Sequence, residues 1–172
     1  MAFFDNSLLL SNAQAITVTA DSTTIYDVTG AGSGTAPKLL FGGTVFGEDI
    51  GAGEGLARPV AYFIVGTTFT AGGAATLQIS VQAAPDNGSN VPGTYVALDQ
   101  TFPIPVANLV SGAAVQLVIP PVPPTLALPR FYKFTYTVAT GPMTAGTITG
   151  GIMLAPTNNQ ISRLYGSNFI AA

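Results

Sequence analysis

Phe131-Tyr132-Lys133-Phe134-Thr135-Tyr136-Thr137-Val138 is the stretch that decides the fold. Tyr132, Phe134, Tyr136 and Val138 share one face; Lys133, Thr135 and Thr137 take the other. Successive side chains of a strand point to opposite sides of a sheet, so this alternation reads as a half-buried strand with one apolar row. Leu77-Gln78-Ile79-Ser80-Val81-Gln82 repeats the pattern. Val115, Leu117 and Ile119 share a face, with Gln116 and Val118 opposite, and Ile148, Ile152 and Leu154 share another. Val60-Ala61-Tyr62-Phe63-Ile64-Val65 is apolar on both faces. It reads as a central strand, or as one covered by a neighbouring subunit.

Working outward, β-branched density predicts further strands at Ile16-Thr17-Val18-Thr19 and at Thr23-Thr24-Ile25-Tyr26-Asp27-Val28. Phe3 to Ala15 lacks Gly and Pro and has room for a short helix capped by Asn6 or Ser7. Val106 to Val110 fits one helical turn. Gly30 to Gly34, Gly51 to Gly55, Gly72-Gly73 and Asp86-Asn87-Gly88 read as turns. Pro120-Pro121 and Pro123-Pro124 make a stiff connection that cannot donate to a ladder. Short strands punctuated by Gly and Pro are the pattern of an all-β antiparallel sandwich or barrel. The 172 residues suit one domain. Residues 1–155 are expected to form the sandwich, with 1–15 as an N-terminal arm and 156–172 as a C-terminal extension. That extension carries Ile161, Leu164, Tyr165, Phe169 and Ile170, more apolar groups than a solvated tail keeps, so it is expected to dock on something.

Composition narrows the chemistry. The chain has no Cys and no His. Thiol nucleophiles, disulfides, Cys zinc sites, Ser-His-Asp catalysis and His-ligated metals are therefore excluded. Charged residues make up 8% of the chain and its net charge is -3. An average soluble domain holds roughly 25% charged residues. Lys38, Arg58, Arg130, Lys133 and Arg163 are scattered, so counterion-release binding to nucleic acid is not expected. Mean hydropathy is +0.47. A surface so poor in charge favours association, and exposed apolar area usually marks an interaction site. No run reaches the ~20 apolar residues of a membrane-spanning helix. Leu8-Leu9-Leu10 before Ala13-Gln14-Ala15 imitates a secretory leader, but the apolar run is short and no Lys or Arg precedes it, so a non-secreted chain is expected.

Glu48, Asp49 and Glu54 form an acidic group on a Gly-rich loop without the spacing of a calcium-binding loop, and a solvated loop is the expectation. Gly30-Ala31-Gly32-Ser33-Gly34 and Gly51-Ala52-Gly53-Glu54-Gly55 lack the Lys and Ser/Thr of a phosphate loop. Pro120 to Pro124 reads as a connector rather than a polyproline ligand. Asn87-Gly88-Ser89 matches a glycosylation sequon but reads as a turn. Arg130 and Lys133 among aromatics faintly suggest an RNA-stacking strand, yet the same alternation is that of a core strand. No catalytic residue, cofactor or metal ligand is expected, and the chain is not expected to be an enzyme.

Several blocks together resemble the capsid cement (decoration) proteins of short-tailed bacteriophages. They are Ser11 to Ala20, Asp49-Ile50-Gly51-Ala52-Gly53-Glu54 with Leu56, and Ala71 to Gln82. Pro103-Ile104-Pro105-Val106 with Leu109-Val110 and Gly112 follows, and then Arg130-Phe131-Tyr132 through Tyr136-Thr137-Val138, Gly141-Pro142, Thr144-Ala145-Gly146 and Ile148-Thr149. Together they cover most of the chain from Ser11 to Leu154. The resemblance implies a jelly-roll β-sandwich that forms homo-oligomers, a homodimer first and a homotrimer second. It implies a seat on the outer face of a phage head, where the oligomer bridges major capsid proteins. Thr35 to Phe46 and the tail after Pro156 look longer than the family pattern. The expected interface residues are Phe3, Phe4, Leu8, Leu9, Ile161, Leu164, Tyr165, Phe169 and Ile170, because apolar and aromatic arms commonly anchor such contacts. The rival expectation is a carbohydrate- or receptor-binding jelly roll of a phage head or tail fibre, with Tyr62, Tyr95 and Tyr132 as a stacking site.

Overall fold

The computed structural model describes residues 8–28, 59–120 and 129–154. Its strands are β1 (Leu9–Ala15), β2 (Ala20–Asp21), β3 (Tyr26–Asp27), β4 (Pro59–Val65), β5 (Thr70–Ala71) and β6 (Thr76–Ala84). They continue with β7 (Val96–Gln100), β8 (Ile104–Pro105), β9 (Ala114–Val118), β10 (Phe131–Ala139), β11 (Met143–Ala145) and β12 (Thr147–Leu154). One sheet has the order β1-β12-β4-β9. A second runs β2-β10-β6-β7, with β3 also on β10 and β8 also on β6, and β11 pairs with β5 in a small third sheet. All three are antiparallel. The pairings nest: β1 with β12, β2 and β3 with β10, β4 with β9, β6 with β7. A long ribbon folded over itself so that its pairs alternate between two sheets is a jelly roll.

The opening stretch forms β10, the longest regular partner of β6. The register runs from Phe131↔Ala84 to Ala139↔Thr76 without a shift. Tyr132, Phe134 and Tyr136 are buried in the core, and Val138 packs against it. From the facing sheet, Phe63 of β4 meets Phe134 at 4.6 Å between centroids and Tyr136 at 6.2 Å, both edge-on. Edge-on aromatic pairs add stability beyond their buried area, roughly 0.5–1.5 kcal/mol each. The Tyr136 hydroxyl donates to Ser11 Oγ at 2.8 Å, so this buried polar atom is satisfied. β4 is central in its sheet, as its two apolar faces suggest.

Three local expectations are corrected. Residues 9–15 form strand β1, not part of a helix or a free arm: Leu9 pairs with Gly151 and Ala15 with Thr147. Ala13 sits at φ 46, where the ladder bulges, and its amide bonds Thr149 Oγ1 at 3.1 Å. Ile16 to Thr19 is not a strand, because those residues carry the chain from one sheet to the other. Within Thr23 to Val28 only Tyr26–Asp27 pair in a ladder. The helical turn appears as a 3-10 turn over Val106–Asn108. Gly88 takes the expected positive φ of 92, whereas the bend at Gly72-Gly73 is made without it.

Gly146 shows how tightly the sheets close. Its φ is +141, and a Cβ there would lie 2.2 Å from the Phe69 ring. Gly146→Ala is therefore expected to lower stability by about 2–4 kcal/mol, from overpacking and an unsuitable φ. Urea unfolding midpoints measure it, and an unchanged midpoint would contradict this packing.

Candidate interaction surface

The two ends of the sandwich differ in chemistry. One end comprises residues 16–19, 66–75, 106–113 and 139–147, and none of these is charged. Threonine and serine side chains sew it shut. Thr67 N–H donates to Thr147 Oγ1 at 2.8 Å and Ser111 N–H to Thr68 Oγ1 at 2.9 Å. Ser111 Oγ donates to the Gly66 carbonyl at 2.7 Å, and the Thr70 and Thr144 hydroxyls are 2.7 Å apart.

The opposite end is held by ions. Asp27 of β3 is fully buried, in a chain that has few charges to place. Arg130, one residue before β10, donates from Nε to Asp27 Oδ1 at 2.8 Å and from Nη2 to Oδ2 at 3.1 Å. This is the two-pronged geometry that suits a guanidinium and a carboxylate. Arg130 Nη1 reaches Asp86 Oδ2 and, at 2.8 Å, Asn90 Oδ1. Asp86 also accepts from the Gly88 amide at 2.9 Å and the Asn90 amide at 3.0 Å. Asn90 adopts φ 59, a conformation that Asn tolerates. Arg130 thus pins the 86–92 turn to β3 and β10. Burial pushes the Asp86 carboxyl up, but the Gly88 amide and Arg130 outweigh it, and its pKa lies below the usual 3.8. The Asp27 side chain raises the pKa of Arg130.

On the outer face of the second sheet, Lys133 Nζ binds Asp21 Oδ2 at 2.6 Å and stands 4.3 Å from the centre of the Tyr95 ring. Burial opposes the ionised Asp21 carboxyl, but Lys133 and Thr135 outweigh it and lower its pKa. The Tyr95 hydroxyl is buried without a partner. Burial, and then the charge of Asp21, push it up to about 12.

The ends differ also in where the chain leaves the described body. Leu8, Val28, Pro59, Pro120, Pro129 and Leu154 border the remaining stretches 1–7, 29–58, 121–128 and 155–172. All six lie at the Arg130 end. Val28 N–H bonds the Arg130 carbonyl, Leu154 pairs with Pro59, and Ile119 N–H bonds the Pro59 carbonyl. Leu8 accepts from Ile152.

Of the expected interface residues, Phe3, Phe4, Ile161, Leu164, Tyr165, Phe169 and Ile170 lie outside the described residues. So do Glu48, Asp49 and Glu54, both Gly-rich loops, and Pro121 to Pro124. Leu8 and Leu9 belong to the body rather than to an arm: Leu8 packs on the core and Leu9 opens β1. The three suspected tyrosines do not form a platform. Tyr132 is buried in the core, Tyr95 lies under Lys133 on the outer side of that sheet, and Tyr62 is on β4 in the other sheet. Among the described residues no group of three Asp, Glu, His or Cys side chains could hold a metal ion. No helix among them is long and apolar enough to cross a membrane.

The exposed large apolar side chains are Val18, Val91, Val96, Phe102, Val110 and Val118. Val91, Val96 and Val118 stand toward the Arg130 end, and Phe102, 91% exposed, lies on the edge between β7 and β8. The sequence reading missed both the ion clamp and these residues. A signal for the clamp existed: Asp27 interrupts a β-branched, aromatic stretch, and a buried acid needs a cation.

In class the chain is a charge-poor, all-β jelly-roll sandwich. Residues 10–152 match the family Bbp16. The chain belongs to this family, which is phage-related. No curated protein matches it.

Two outcomes test the clamp. Removing one partner of a buried pair strands the other, at a cost of about 3–5 kcal/mol. Asp27→Asn is expected to fall in or just below that range at neutral pH, because Asp86 still faces Arg130. A loss under about 1 kcal/mol in urea titration would show that the clamp is not structural. Asp21 and Asp86 both have folded pKa values below the unfolded ~3.9. Their contribution is complete above that value and is lost as pH falls through the folded pKa. Stability is thus expected to drop below about pH 4, and the drop to be shallower in Asp86→Asn than in the wild type. Equal acid slopes would refute it.

Proposed function

We propose that the chain is a structural virion protein: a capsid cement protein that binds the outer surface of the assembled phage head as a homo-oligomer and bridges major capsid proteins. In this reading it is made in the host cytoplasm, is not secreted, is not an enzyme and uses no cofactor, nucleic acid or membrane. Membership of a phage-related family supports the setting. The observation that carries the proposal is a sandwich with only 8% charged residues whose exposed Val91, Val96 and Val118 stand toward the Arg130 end. A stable interface buries ~1,200–2,000 Å² in total, and apolar groups gathered on one side of the body supply such a contact better than scattered ones. The Arg130 end then faces the shell and the threonine end faces solvent.

The mechanism is mass action. A protein that binds only the assembled shell stabilises it by its binding free energy. Two linked subunits hold two neighbours at once, and such linkage can strengthen binding by ~10²–10⁴ without any new contact. The clamp serves by keeping the Arg130 end rigid. Tyr62, Tyr95 and Tyr132 stand apart, so the glycan-binding alternative lacks the shared tyrosine platform expected of it.

Co-sedimentation with bare, expanded heads tests the reading. The full chain is expected to pellet with them and to raise their thermal disruption temperature. A chain lacking residues 156–172 is expected to bind at least about tenfold more weakly, a loss of ~1.4 kcal/mol. Equal binding would remove the tail from the mechanism, and no binding by the full chain would remove the proposal.

A further inference from the structure

A jelly roll has open edges, and exposed edges invite pairing with another strand unless something blocks it. Three of the four edges of the two large sheets carry such blocks. β1 is bulged at Ala13. β2 and β3 are two residues each. β7 contains Asp99, has a register shift against β6, and leads to Pro103 and Pro105.

β9 carries none of them. Ala114-Val115-Gln116-Leu117-Val118 has no charge and no proline, and its register with β4 runs from Val60↔Val118 to Ile64↔Ala114 without a shift. Among the described residues no strand pairs with its other side. The hydrogen bonds show which groups face outward. Ile119 N–H donates to the Pro59 carbonyl at 3.1 Å and Val65 N–H to the Ala113 carbonyl at 2.9 Å. Bonding alternates along an antiparallel ladder, so residues 113, 115, 117 and 119 point their backbone groups at β4. Ala114, Gln116 and Val118 point theirs at the open side, and their side chains are exposed too.

We propose that β9 pairs with β9 of a second copy, antiparallel about a twofold axis at Gln116, joining two four-stranded sheets into one. This rests on the homo-oligomer part of the reading above and names its interface. The strand is self-complementary in that register. Gln116 faces its own copy, exposed Ala114 meets exposed Val118, and Val115 lies opposite Leu117, small or polar against a fitting partner. No charge is buried. The outward groups of residues 114, 116 and 118 would form six hydrogen bonds across the axis. Five residues cover only part of a stable interface, and the exposed Val118 adds apolar area at one end of the paired strands.

The test uses the full chain in solution, without shells. Gln116→Pro removes an outward N–H and leaves the β4 ladder intact, a position where an edge strand tolerates proline. Gln116→Lys keeps the N–H but sets like charges directly opposite each other. Light scattering is expected to give a dimer for wild type. Both variants are expected to dimerise at least about tenfold more weakly while melting cooperatively. Gln116→Cys supplies the sole cysteine, about 5.5 Å from its mate in Cα distance, within the ~4.4–6.8 Å of a disulfide. Mild oxidation is expected to cross-link it quickly, and Val18→Cys at the far end is not. A wild-type monomer or trimer would overturn the pairing and the dimer together. A dimer unaffected by either variant would overturn the pairing alone. A dimer lost in the variants, with no Gln116→Cys cross-link, would overturn the register centred on Gln116.

Discussion

The contact of Phe63 with Phe134 and Tyr136 closes the sandwich, and most other features are placed by it. These rings come from the central strands of opposite sheets, so their edge-on packing sets how β4 and β10 lie over one another. Gly150 faces the Phe63 ring and the Tyr136 hydroxyl, where a side chain has no room. Ser11 then receives the Tyr136 proton and passes its own to Gln14 Oε1 at 2.8 Å. Gln14 also accepts from the Thr23 amide and donates to the Asp21 carbonyl. An aromatic contact in the core thereby fixes the strand that enters the fold first and the crossing that follows it.

With the middle closed, the ends are free to specialise. The threonine end uses neutral hydrogen bonds of short hydroxyl side chains, which need no counter-charge. The Arg130 end uses one part-buried guanidinium to gather Asp27 from β3 and Asp86 and Asn90 from the 86–92 turn. In a chain with 8% charged residues, placing a guanidinium and two carboxylates together at one end is a concentrated use of charge. It ties the 86–92 turn to β3 and β10.

Much of the sandwich was legible because period-two alternation reports burial directly. Phe131 to Val138, Leu77 to Gln82 and Val115 to Ile119 each took the face assignment their sequence implies. What stayed hidden depended on distant partners. Nothing near Leu9 to Ala15 marks it as a strand; its ladder is made with Gly151 through Thr147, far along the chain. Ile16 to Thr19 has strand propensity, yet the crossing between sheets overrides it. The clamp joins residues 27, 86 and 130, and no local pattern encodes that meeting. Of the expected interface, only Leu8 and Leu9 fall in the described body, and both serve the sandwich. The open β9 edge was visible in sequence as a face pattern, but its lack of a neighbour appears only in the sheet order.

Electron cryomicroscopy of expanded phage heads mixed with the purified chain tests the central claim most directly. The account predicts sandwich-shaped density on the outer surface, bridging adjacent shell subunits, with the Arg130 end against the shell and the threonine end outward. Heads that stay bare at saturating protein, or density seated by the threonine end, would contradict it.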